Sequence, residues 1–320
     1  MRIAACILAC TVCLSAAMAG EVPFGPVKPA APAPAPTTVP AQPVVRVNWR
    51  TNLEAAQKEA ADSGRVFLIY FHADWSQPCR WMDGGTLANR AVAEYVNKNF
   101  VPIKVDDTKE AGAISKKYQV RLYPTVLFLD PYGDPLHILL GPKPPGDFYP
   151  VLQKVKALPG LVAAQKKSAD DVEANFAAGA AFATLDQLRR AEPYLKRVVE
   201  LDPKNEKGHL HPVRLFLALV PLEDGDSAQA IKNVQQFLTD NKDSPERPTA
   251  IYWMAAILYR DNKLKEARGI FDLLRNEYPS HRLSYDADKA IDAIDDRLKA
   301  EEDAKKPPPA PPAKPAPARP

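Results

Sequence analysis

Phe71-His72-Ala73-Asp74-Trp75-Ser76-Gln77-Pro78-Cys79 is the stretch whose reading decides the fold. It continues the run Arg65-Val66-Phe67-Leu68-Ile69-Tyr70, which is short, unbroken, apolar and rich in β-formers. Such a run suits a strand buried on both faces in the middle of a sheet. After Ala73 the character changes to polar residues, and a helix is expected to begin near Pro78. The chain thus leaves a buried strand and enters a helix between Ser76 and Cys79, with one thiol three residues beyond a serine.

Outward from that point, strand-like and helix-like segments alternate. A helical stretch with Leu53, Ala56 and Ala60 on one face precedes the strand and closes at Ser63-Gly64. A further strand, Phe100-Val101-Pro102-Ile103-Lys104-Val105, leads to a helix containing Ala111, Ile114 and Tyr118. Thr125-Val126-Leu127-Phe128-Leu129, the turn Asp130-Pro131-Tyr132-Gly133-Asp134 and the segment Pro135 to Leu140 read as a β-hairpin. A last helix is expected from about Asp147 to Ala157. Fold class for this half is α/β.

The chain has 320 residues, 25% of them charged and 46% apolar, the balance of a soluble globular protein of two domains. Its net charge of +3 gives no reason to expect nucleic acid as a partner. The 33 prolines are about twice the usual share. Eight lie in residues 22–43 and eight in 307–320, so residues 20–45 read as a Pro/Ala-rich linker and 305–320 as a Pro-rich tail. Met1-Arg2, the apolar run Ile3 to Leu14 and Ala17-Met18-Ala19 read as a secretory signal cleaved after residue 19. Lipid attachment at Cys10 and a retained anchor are the alternatives. Cleavage removes Cys6, Cys10 and Cys13, leaves Cys79 as the single thiol of an exported, periplasmic protein, and leaves no stable membrane span.

Four signatures resemble the thioredoxin superfamily over residues 46–158: the strand-to-helix segment ending at Cys79, Lys104-Val105-Asp106, Tyr123-Pro124-Thr125, and the Tyr-Pro-Thr-x-x-Phe-Leu-Asp-Pro-x-Gly run that begins at Tyr123. The resemblance implies an active-site segment at Trp75, Ser76, Gln77, Pro78 and Cys79, a cis-proline at Pro124, and peptide contact at Tyr123, Pro124 and Thr125. It also shows departures. Where the family has its attacking cysteine this chain has Ser76, and where it often has a buried aspartate on the central strand this chain has Tyr70. A serine hydroxyl forms no disulfide, so a dithiol cycle within the mature chain is excluded. Ser76 is expected to be a helix N-cap accepting a backbone N–H. Cys79, in the resolving position, is either an inert packed thiol or one that forms mixed disulfides. Pro124 either serves peptide contact, leaving the Tyr123 backbone to pair with an extended chain, or only shapes its loop. His72 is expected beside the site without a ligand role, and Trp75 and Trp81 are expected to pack around the helix start.

Beyond residue 160 strands disappear. Ala191, Leu195 and Val198, then Ala230, Val234 and Phe237, then Ala267, Phe271 and Leu274 recur at helical spacing, with the three alanines 39 and 37 residues apart. Together with Gly179 and Phe182 ahead of Ala191, and Ala255 and Leu258 ahead of Ala267, this resembles tetratricopeptide (TPR) helical repeats over 165–304. The middle unit carries Pro212 and Pro221, so its first helix is expected to be irregular. Ala287, Ile291, Ile294 and Leu298 would be the apolar face of a closing helix. The resemblance implies a groove for a protein or peptide. His209-x-His211 lacks the further donors that a metal needs, and no cofactor is implied. Two functions remain: a protein-interaction module with a degenerate Ser-x-x-Cys site, or a monothiol oxidoreductase or isomerase that uses Cys79 with an external thiol.

Overall fold

The computed structural model describes residues 44–106 and 112–304. The signal segment, nearly all of the 20–45 linker, the tail from 305, and Ala111 lie outside the described residues. The chain divides into two compact units, with the main boundary between Ser168 and Ala169.

The first unit is built on a four-stranded sheet in the order β2-β1-β3-β4, from β1 (Val66–His72), β2 (Phe100–Asp106), β3 (Thr125–Leu129) and β4 (Pro135–Leu140). β1 pairs parallel to β2 and antiparallel to β3, and β3 pairs antiparallel to β4. Every residue of β1 is buried, as its unbroken apolar run requires. Alternation along the strands divides the core into two layers. Phe67, Ile69, Phe71, Val101, Ile103, Val105, Leu127 and Leu129 meet Ala56 and Ala60 of α1 (Leu53–Ser63), with Ile114 of α4 (Ala113–Lys117) packed alongside. The opposite face carries Leu68, Tyr70, His72, Lys104 and Phe128, and the helices α2 (Gln77–Gly84), α3 (Arg90–Asn99) and α5 (Pro145–Lys167) belong to that side.

Local chemistry accounts for the boundaries. Asn52 caps α1 by accepting from the Ala55 N–H at 2.8 Å, and Gly64 ends it with φ of 66°. The hairpin turn is held by Asp130, whose Oδ1 accepts from the N–H groups of Tyr132 and Asp134 at 2.8 and 2.9 Å. Two features differ from the sequence reading. The helix entered near Pro78 ends at Gly84, and a separate helix starts at Arg90 under an Asn89 cap. The last helix does not stop at Ala157 but runs to Lys167 through Pro159. A proline inside a helix removes one hydrogen bond and costs about 3 kcal/mol. Complete burial of Phe148, Leu152, Val155 and Leu158 on that helix offsets it.

The second unit is helical: α6 (Val172–Ala183), α7 (Leu188–Leu201), α8 (Leu210–Leu219) passing into a 3-10 turn Val220–Asp224, α9 (Ser227–Asp240), α10 (Arg247–Arg260), α11 (Leu264–Glu277) and α12 (Arg282–Asp303). Consecutive helices pack on one another. α7, α9 and α11 have 14 residues each and are preceded by left-handed residues Asp186, Gly225 and Asn262, which recur at the same offsets as the buried alanines 191, 230 and 267. The 3-10 turn places the expected irregularity in the middle pair. Ala287, Ile291 and Ile294 of α12 are buried and Leu298 is partly so. Among the described residues no helix is long and apolar enough to cross a membrane.

Gly179 shows how closely α6 and α7 approach, because a Cβ built there would lie 2.6 Å from Leu195 Cδ2, 2.9 Å from its Cγ and 3.2 Å from Tyr194 Cβ. Gly179→Ala is expected to destabilise the protein by about 1–3 kcal/mol through overpacking. Gly269→Ala, in α11 with open space around it, is expected to stabilise by about 0.5–1 kcal/mol. Urea denaturation of both variants beside the parent protein measures the two signs together.

Candidate functional site

β1 delivers Tyr70 and His72 to the site, since residues 70 and 72 share one face of the strand. Tyr70 is completely buried, so its hydroxyl needs a partner. It donates to the Cys79 carbonyl of α2 at 3.4 Å, and its ring stacks on Trp49 with centroids 5.6 Å apart. Lys104, the β2 register partner of Tyr70, places Nζ 5.5 Å from the Tyr70 ring centroid and 2.9 Å from Asp83 Oδ2. Burial first, and then the Asp83 carboxylate and the Cys79 side chain, push the Tyr70 hydroxyl far above the ordinary tyrosine range. It is a neutral donor at physiological pH.

His72 is nearly as deep. Its Nε2 lies 2.9 Å from Asp74 Oδ1, and its Nδ1 lies 3.2 Å from Asp83 Oδ2 but out of line for a hydrogen bond. Asp83 therefore gathers Lys104 and His72 around one carboxylate oxygen. Sequence reasoning missed it. The available signal is its position four residues after Cys79, one helical turn along the same face of α2.

Ser76 stands at the helix entry, but its side chain makes no cap hydrogen bond. Ser76 thus holds the expected N-cap position, but its oxygen does not accept the expected backbone N–H. The hydroxyl donates instead to the Tyr123 carbonyl at 3.4 Å, and the Tyr123-Pro124 peptide is cis. That carbonyl, expected to be open to an extended chain, is thus already engaged by Ser76. Thr125 Oγ1 donates to the Leu122 carbonyl at 2.7 Å and the Gly141 N–H to the Pro124 carbonyl at 2.9 Å, fixing the loop from both sides. Cys79 is a free thiol with no exposed surface, while Gln77 and Pro78 before it are exposed. Trp75 and Trp81 do not pack around the helix start: they are 69% and 50% exposed, and Trp75 meets Tyr123 edge to face at 5.9 Å. The site so assembled has an apolar exposed rim, a hydroxyl in place of an attacking thiol, and a buried thiol beneath.

A thioredoxin-like family model matches residues 48–131. Over 90 residues the chain is 31% identical to a thioredoxin H-type of Oryza sativa subsp. indica, a stretch covering 27% of this chain and 66% of the rice protein, just under two thirds of its length. The chain carries a thioredoxin-like domain. Similar solved structures include a thioredoxin from Thermus thermophilus, 24% identical with a TM-score of 0.34, covering 38% of this chain and 95% of that one. The C-terminal domain of Neisseria meningitidis DsbD in its oxidised form is 25% identical with a TM-score of 0.29, covering 32% and 91% respectively. A thioredoxin-like domain suggests a redox or disulfide-related role.

In the helical unit, His209 is occupied structurally. Its Nε2 lies 3.0 Å from both Glu173 carboxylate oxygens and its ring stacks on Phe176 with centroids 3.9 Å apart. Among the described residues no group of three histidine, cysteine or acidic side chains is placed to hold a metal ion.

The raised Tyr70 pKa carries a stability signature. Above pH ~10 an unfolded tyrosine ionises, whereas folded Tyr70 keeps its proton. The unfolded state then binds fewer protons, so stability falls as pH rises past that point. Urea denaturation at pH 8 and pH 11 is expected to show this alkaline loss in the parent protein and a smaller loss in Tyr70→Phe. At pH 8 that variant should be destabilised by about 1 kcal/mol for its missing hydrogen bond.

Proposed function

We propose that the thioredoxin-like domain is a protein-interaction module of the cell envelope that binds extended peptide at the cis-proline loop and performs no dithiol cycle. The observation that carries the absence of a dithiol cycle is Ser76 in the attacking position, one helical turn before a thiol with no exposed surface. The Tyr123 carbonyl that accepts from Ser76 keeps a second lone pair for an extended peptide. The exposed rim of Trp75, Leu122 and half-buried Tyr123 is the kind of surface that takes apolar side chains of a partner.

The helical unit supplies a second binding surface on this reading. Its three helix pairs, with small residues at close approaches and a charged closing helix, support a TPR-like array whose groove takes a protein or peptide. Export through residues 1–19, with the proline-rich segments as spacers, places the molecule in the periplasm.

A monothiol reductase or isomerase is the second reading, favoured by the neutral Tyr70 hydroxyl beside the Cys79 side chain, a donor that could accompany a thiol step. It requires an external thiol and a route by which a substrate disulfide reaches the Cys79 sulfur.

Insulin reduction driven by dithiothreitol separates the two. The protein is expected to reduce insulin no faster than a Cys79→Ala variant, and a clear excess over that control overturns the non-catalytic reading. Ser76→Cys is expected to supply the missing partner three residues before Cys79, so the variant should form an intramolecular disulfide and gain insulin-reducing activity over the parent protein.

A further inference from the structure

The rim of the cis-proline loop is basic as well as apolar. Trp75 and Leu122 are 69% and 50% exposed, and Tyr123 joins them through its edge contact with Trp75. Arg80 lies exposed beside this floor, with Nη1 held 2.8 Å from the Asp74 carbonyl next to Trp75. Arg121, also exposed, adjoins Leu122 in the chain, and the preceding helix α4 ends in exposed Lys116 and Lys117. The Asp74 carboxylate, next to Trp75 in the chain, lies 2.9 Å from His72 Nε2, and its side chain is 61% exposed. The Asp83 carboxylate is engaged by Lys104 on the sheet side. The exposed cations Arg80 and Arg121 therefore adjoin an apolar floor, with Asp74 the exposed acid beside them and Asp83 paired to Lys104.

We infer that the peptide bound at this loop is an acidic one, presenting an apolar or aromatic side chain to Trp75 and Tyr123 with carboxylates reaching Arg80 and Arg121. This rests on the peptide-binding reading above and names the class of segment it selects. The two guanidiniums favour carboxylates by paired hydrogen bonds. The same charges repel a basic segment of equal apolarity, so the rim discriminates in both directions.

The test is fluorescence anisotropy with the full-length protein and three labelled peptides that share a Val-Phe-Val centre, flanked on both sides by glutamates, glutamines or lysines. At low ionic strength the glutamate peptide is expected to bind at least about tenfold more tightly than the lysine peptide, with the glutamine peptide between them, and added salt should narrow the spread. Arg121→Glu should abolish or invert the order and Arg121→Lys should keep it, with thermal melts of both variants matching the parent protein. Should Arg121→Glu melt early, Arg80→Gln replaces it and should reduce the spread. Equal binding of the three peptides overturns the charge selectivity and leaves the peptide-binding reading standing. Binding of none overturns both.

Discussion

A phenol hydroxyl placed in the middle of a strand buried on both faces sets the terms for the whole site. β1 has no solvent-facing side along its length, so Tyr70 must find its partner inside. The partner is the α2 backbone at Cys79, with the Asp83 carboxylate close by. That requirement ties α2 to the sheet in its first turn, and the Lys104–Asp83 pair ties it again near its end. With α2 so fixed, its entry at Ser76 comes against the cis-proline loop, and the hydroxyl closes on Tyr123.

Two departures from the thioredoxin resemblance meet at this site: Tyr70 stands where the family often has a strand aspartate, and Ser76 where it has its attacking cysteine. Asp83 of α2 carries a carboxylate on the same side, paired with Lys104 of β2. What the site loses is an exposed thiolate. What it keeps is a braced loop, an aromatic rim and exposed cations, the features on which the proposed peptide-binding role rests.

Much of this fold was legible in the sequence because it rests on periodicity. The unbroken run of β1, the hairpin turn around Asp130 and Gly133, and the recurrence of Ala191, Ala230 and Ala267 are local patterns that survive in three dimensions as buried faces. The site was legible only in outline. Ser76 was recognisable as a helix entry, but whether its hydroxyl turns to the helix amides or to Tyr123 depends on a loop 47 residues away. Asp83 lies one turn beyond the recognisable segment, and its role depends on Lys104 arriving from another strand. The exposure of Trp75 and Trp81 was missed because large aromatics are read as core by default, while α2 spends its buried face on Cys79 and Met82. The expected end of α5 at Ala157 fell short because the apolar residues that carry the helix through Pro159 act by packing and not by local preference.

The proposed binding role turns on Cys79 having no exposed surface one helical turn beyond Ser76. Thiol alkylation of the folded protein, mapped by mass spectrometry to the peptide containing Cys79 and repeated in urea, tests it most directly. The account predicts negligible labelling of native Cys79 and complete labelling once the chain is unfolded. Rapid labelling of the folded protein at neutral pH would contradict it.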